Sequence, residues 1–164
     1  MLERPCKVQL LGMFIAFVLI TVGTACAAGD PVLNKKLEDT IAKVRAAKSP
    51  EARSRAADYL TDLTYGVDPA SVDDKTIADM VALLDDPADP ACPGVAGALG
   101  LLGPRANVAV PKLLAMLPKA DCLWGSLTSA GFIRTALEKM GVEPPPVDLT
   151  RCKELGVERF PLEK

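Results

Sequence analysis

Apolar residues recur at helical spacing along most of this chain. Leu33, Leu37, Ile41 and Val44 stand three and four apart among Lys, Glu and Arg, which predicts an amphipathic helix with one buried stripe. Ser49-Pro50-Glu51 ends that segment and opens another. Ser49 suits the N-cap, Pro50 is preset for the first helical position, and Glu51 is favourable at the positive end of the helix dipole. Ala56, Leu60 and Leu63 then form a stripe running up to Gly66. The same grammar returns twice. Ser71 with Asp74 has the form of a capping box ahead of Ile77, Met80, Val81, Leu83 and Leu84. An acidic turn over residues 85–90 leads into Val95, Ala96, Leu99 and Leu102. Val110, Leu113, Leu114, Met116 and Leu117 repeat the Ile77 series at a constant shift of 33 residues, with Pro111 tolerable in a first turn.

The stops recur as well. Gly66, Gly103 and Gly141, at intervals of 37 and 38 residues, are each followed closely by a proline: Pro69, Pro104 and Pro144. Glycine can take the left-handed conformation that ends a helix, and proline blocks continuation. A helix, turn, helix, Gly, Pro unit of this period predicts an all-α chain, a short α-solenoid whose helical pairs bury their apolar faces only against neighbours. Residues 33–141 are expected to be helical. Val81, Leu84, Leu99, Leu102, Leu113, Leu114 and Leu117 are expected to share one core.

The stretch LLDDPADPACPGVAGALGLLGPRANVAVPKLLAML resembles the HEAT-like repeats of bacteria in its Asp-Pro turn, its Ala-Leu-Gly-x-x-Gly-Pro helix end and its Ala-Val-Pro-x-Leu helix start. The resemblance is strongest over residues 77–117, weaker over 33–66 and partial over 118–141. It implies about three helical hairpins and, since such repeats are mostly scaffolds, a protein-binding or structural role without catalysis. In that family an Arg commonly follows the acidic turn early in the second helix. Arg53 holds that place in the first copy and Cys92 in the second. The third copy carries about six extra residues near 121–128, which include the chain's one Trp. Trp124, with Leu123 and Leu127 beside it, is therefore a candidate partner-binding loop, although a lone Trp also packs over core edges.

The amino terminus changes the picture of where the chain works. Arg4 and Lys7 precede an apolar run over residues 8–22 and then Ala25-Cys26-Ala27, the three-part plan of a secretory signal. This divides the chain into a signal peptide (1–27), a HEAT-like domain (28–143) and a tail packed on the last repeat (144–164). The expected location is the periplasm or another exported compartment of the cell envelope. Gly23-Thr24-Ala25-Cys26 also resembles a lipoprotein lipobox, with Gly23 where Leu is usual, so lipidation at Cys26 is an alternative. Membrane attachment is expected only through that lipid or an uncleaved signal.

Charge and composition narrow the chemistry. Cleavage after Ala27 removes Arg4, Lys7 and Glu3 from 19 basic and 21 acidic residues, leaving 17 against 20. That balance disfavours a nucleic-acid binder. The chain has no His, which excludes the usual serine triads, Cys–His pairs and His-ligated metal sites. No metal or cofactor is expected. The acidic series Asp85, Asp86 and Asp89 lacks the alternation of an EF-hand loop and reads as a helix-capping turn. Charge is nevertheless uneven: residues 35–55 hold seven basic and three acidic side chains, while 58–89 hold one basic and nine acidic. That is either ordinary solvated surface or a bipolar docking surface.

Three cysteines remain after cleavage: Cys92, Cys122 and Cys152. In an oxidising compartment this suggests one disulfide and one free thiol. Comparable turns of stacked hairpins sit about 8–10 Å apart, too far for Cys92 to reach Cys122 without displacement. A last helix from Ser129 to Met140 rises about 18 Å, and the extended chain from Gly141 can return that distance to bring Cys152 to Cys122. That pairing is favoured, with Cys92 left free, and three reduced thiols are the plainer alternative. An enzyme, or an accessory resembling HEAT-like chromophore lyases, would depend on Cys92 as nucleophile at a helix start.

Overall fold

The computed structural model describes residues 29–123 and 129–156. The expected leader, Trp124 and Leu127 lie outside them. The described chain is all-α, with six helices and no strand: α1 (Pro31–Ala46), α2 (Pro50–Thr64), α3 (Asp74–Val81), α4 (Cys92–Leu101), α5 (Val110–Cys122) and α6 (Ser129–Lys139). Short 3-10 segments, Pro69–Ser71 and Gly103–Ala109, precede α3 and α5. Successive helices pair as α1 on α2, α3 on α4 and α5 on α6. The second helices also touch, so that α2, α4 and α6 form a continuous row with α4 in the middle.

Local chemistry explains most of the boundaries. Asp30 starts α1 by accepting from the N–H groups of Val32 and Leu33 at 2.9 and 3.2 Å, with Pro31 at the first position. Ser49 does the same for α2 through Ala52 N–H at 3.2 Å. Gly66, Gly103 and Gly141 have φ of +70, +55 and +80°, the left-handed stops the sequence predicts.

The start of α3 differs from expectation. Ser71 does not cap it; Asp73 does, accepting from Thr76 N–H at 2.6 Å. Asp68 and Pro69 build a turn of their own that holds Ser71, and Val72 must be extended before the helix can begin. Asn34 locks this turn to α1. Its side-chain amide donates to the carbonyls of Asp30 and Ser71 at 2.9 and 3.0 Å and accepts from Asp73 N–H at 3.0 Å. Gly131 lies inside α6, a position where glycine makes an unbroken helix less favourable, and the helix continues through it.

One core runs through the molecule. Leu84, Leu99, Leu102, Leu113 and Leu117 are wholly buried in it, and Val81 and Leu114 pack half-buried against it. At its centre α4 approaches both neighbours through small residues. A Cβ on Gly94 would lie 2.5 Å from the Ala57 carbonyl carbon of α2, and one on Gly100 would lie 2.9 Å from Ala136 Cα of α6. Only glycine allows helix backbones to come so near. The Thr61 hydroxyl uses that proximity to donate to Gly94 O at 2.9 Å.

Candidate functional site

The uneven charge has a structural cause. Basic residues of the first helical pair meet acidic residues of the second: Arg45 pairs with Asp79 at 2.9 Å and Arg53 with Asp89 at 2.8 Å. Lys75 bridges back to Glu38 at 2.8 Å and along its own helix to Asp79 at 3.0 Å. Across the next junction the signs reverse. Asp74 meets Arg105, Asp85 meets Lys112 at 3.1 Å and Asp86 meets Lys119 at 3.0 Å. All five carboxylates of the α3–α4 region are thereby engaged, and much of the acidic run faces cations of neighbouring pairs rather than open solvent.

These contacts set protonation as well as position. Burial works against the Asp89 carboxylate, but hydrogen bonds from Arg53 and Ala91 N–H outweigh it and hold the group below the usual aspartate range. Asp86 is lowered by the Ala88 N–H and then by Lys119. Arg53 is the most enclosed of these links, since its Nη1 also donates to Val44 O at 2.7 Å. The acidic turn does not cap α4 as the sequence suggests: the N-cap position is Ala91, without a side-chain bond, and Asp86 and Asp89 instead hold the turn itself by accepting from Ala88 N–H and Ala91 N–H at 2.9 and 2.8 Å.

The carboxy-terminal end is closed. Cys122, at the last turn of α5, is bonded to Cys152 with their Cα atoms 5.4 Å apart. Beside the bond Arg134 of α6 grips Asp121 through Nε and Nη2 at 3.1 and 2.6 Å and donates from Nη1 to Pro145 O at 2.7 Å. The Asp121 side chain is only 4% exposed. Leu117, Pro118 and Asp121 form one wall of a cleft of about 130 Å³ whose other wall is Pro145, Pro146, Asp148 and Arg151 of the tail. Residues 150–156 turn repeatedly, with a single helical hydrogen bond from Leu155 N–H to Arg151 O, and form no regular helix. Gly156, at φ +70°, ends this turn.

Leu123 follows α5 half-buried, with its N–H bonded to Ala120 O. The rest of the loop that the sequence singles out, Trp124 and Leu127, lies outside the described residues. Cys92 is unbonded and fully enclosed at the start of α4, away from the Cys122–Cys152 pair. Burial pushes its thiol up to about 11, against the favourable hydrogen bond with Ser129 and with Asp89 and Asp86 adding to the rise. That environment holds the neutral thiol, the reverse of an activated thiolate.

Among the described residues nothing covers the opposite end. Val32, Leu33 and Lys36 of α1, with Leu63 of α2 and Val67 after it, line a groove of about 400 Å³. Val32 is 63% and Tyr59 49% exposed, unusual for side chains of their size. Sequence pattern alone merged Leu33 and Leu63 with the core stripes, because partly and fully buried positions share one periodicity. Asp121 and Arg134 carry no signal of their pairing, since the loop between them breaks the period. Compared with family models, curated proteins and solved structures, the chain matches none.

Proposed function

We propose that this chain is a non-catalytic, exported scaffold: a short α-solenoid of HEAT-like helical pairs that holds another protein in a bacterial cell envelope. The observation that carries the reading is the row of α2, α4 and α6, in which backbones meet at Gly94 and Gly100 and ion pairs lace each junction. Such a row is stiff, and a stiff stack presents its outer surfaces as a preformed platform, so that little ordering cost opposes binding. The Cys122–Cys152 bond supports an oxidising compartment, where such bonds persist. The enclosed, neutral Cys92 gives a lyase-like reaction no activated nucleophile at that position.

The test has two parts. Intact mass of the product made with its own amino terminus should show cleavage after Ala27; a diacylglyceryl Cys26 would replace the soluble reading with a lipid-anchored one, and an unprocessed chain would remove export. Chemical crosslinking in envelope extract should then give a discrete heteromeric product that competes with unlabelled protein. Rapid labelling of Cys92 in the folded protein by an alkylating reagent would defeat the non-catalytic reading.

A further inference from the structure

Cys92, Cys122 and Cys152 allow three pairings, and the fold has to choose among them. Docking of α6 removes Cys92 from the choice. Ser129, the first residue of α6, donates to Pro87 O and hydrogen-bonds the Cys92 thiol, which has no exposed surface at the start of α4. The same helix sets the course of the tail. Gly141 N–H and Val142 N–H bond back to Glu138 O and Leu137 O, both at 2.9 Å, and fix where the chain leaves α6. Glu143, Pro144 and Pro145 each precede a proline, which holds them extended.

Midway along α6, Arg134 meets that extended run. Asp121 occupies its Nε and Nη2 at 3.1 and 2.6 Å, so the planar guanidinium is oriented by two bonds between α5 and α6, neither of which involves the tail. Its Nη1 is left to reach Pro145 O at 2.7 Å. Seven residues further on stands Cys152, and Asp148, accepting from Thr150 N–H at 2.9 Å, turns the chain between the two. Asp121 is itself the sequence neighbour of Cys122. The cation that grips the tail is therefore anchored one residue from the thiol the tail must find.

We propose that Arg134 is the positioning residue for the Cys122–Cys152 bond: fixed on Asp121, it captures the reduced tail at Pro145 O and brings Cys152 onto Cys122. The device serves maturation of the chain and is independent of what the scaffold holds. Its oxidant is a small-molecule disulfide such as oxidised glutathione. The Cys152 thiolate, carried on the tail, attacks one sulfur of that disulfide and expels a glutathione thiolate. The Cys122 thiolate then attacks the Cys152 sulfur of the mixed disulfide and expels the second. In the net reaction one S–S bond breaks and one forms, and the two protein thiols pass two electrons and two protons to two glutathiones. Arg134 acts on the second attack, in which Cys152 has to meet Cys122. In the reduced chain this single charged contact biases the tail's position without shielding it from protease. A hydrogen bond to a charged group is worth about tenfold in such a population.

The experiment equilibrates the full chain with reduced and oxidised glutathione, quenches with acid, alkylates, and reads the Cys122–Cys152 peptide against all others by mapping without reduction. The glutathione ratio at half-formation gives the effective concentration of one thiol at the other. Two variants are compared with the unaltered chain. D121N/R134M removes the ion pair without stranding a carboxylate, and R134K keeps a cation beside Asp121 but lacks the fork that holds Asp121 and Pro145 O together. Both should lower the effective concentration about tenfold, while Cys92 in the folded protein stays as resistant to brief alkylation as before. R134K decides alone if D121N/R134M loses its helical circular dichroism.

An effective concentration in R134K within twofold of the unaltered chain overturns the proposal. So does a tenfold fall in which Cys92 becomes reactive in step, because α6 has then come loose and the role of Arg134 is to hold the helices together. A bond that includes Cys92 in the unaltered chain overturns it as well.

Discussion

The middle of the stack and the tail are held by opposite means. Around α4, Gly94 and Gly100 let backbone touch backbone, and the helix is enclosed on almost every side. Between residues 143 and 156, Cys152 alone is fully buried, and the segment is fastened by its disulfide, by Arg134 on Pro145 and by half-buried Leu149 and Leu155. Shape complementarity secures the first region and covalent tethering the second. The former loses stability whenever volume changes in either direction; the latter depends on the redox state of one bond.

The sharpest way to break the central region is to empty it. Leu99→Ala, at a wholly buried position, should cost about 2–5 kcal/mol in chemical unfolding. A loss below about half a kilocalorie would show that the site collapses or is not core. Filling it should also destabilise: Gly94→Ala must displace Ala57 and is expected to cost about 1–3 kcal/mol. Gly131→Ala makes the same change where nothing lies within 4 Å, and it should stabilise by about 0.5–1 kcal/mol. Equal effects of the two substitutions would mean that close approach is not what α4 requires.

Breaking the tail should leave the middle standing. Cys152→Ser, or reductant, should make residues 143–156 protease-sensitive while 31–139 stays protected, because the central helices have their own core. A 30-residue separation sets the chain-entropy contribution at about 3–4 kcal/mol at most, and local release of the tail reduces what is seen in global unfolding. Simultaneous proteolysis of tail and core would erase the distinction between the regions.

A smaller loss concerns the junction. Arg53→Met should cost about 1–2 kcal/mol at neutral pH by stranding a partly enclosed Asp89. The folded Asp89 pKa is lowered, so its stabilisation is full above the ordinary value of 3.8 and is lost as pH falls through the lower folded value. The gap between the two proteins in acid titrations should close over that range. A gap that persists at the acid end would assign the effect to lost packing of the arginine stem.

What could be read from the sequence follows the same division. Helix starts at Asp30 and Ser49 and stops at the three glycines are local chemistry, and each is visible in a few residues. The Cys122–Cys152 bond was legible because chain length and helix rise bound the reach of the tail. The Asp73 cap was not, since three candidate side chains within four positions compete and the choice depends on the preceding turn. Pairing of the basic and acidic runs was hidden for another reason: the runs are plain in sequence, but whether they face each other depends on the stacking direction. The groove escaped because Leu33 and Leu63 keep the period of the core while no neighbour among the described residues buries them fully.

The sign reversal at successive junctions also bears on how such a chain can change length. Excising α3 and α4 together would bring Arg45 and Arg53 opposite Arg105, Lys112 and Lys119, cation against cation, at the seam. Duplicating them would set aspartates against aspartates. The three helical pairs are therefore not interchangeable, and charge fixes which of them can sit in the middle.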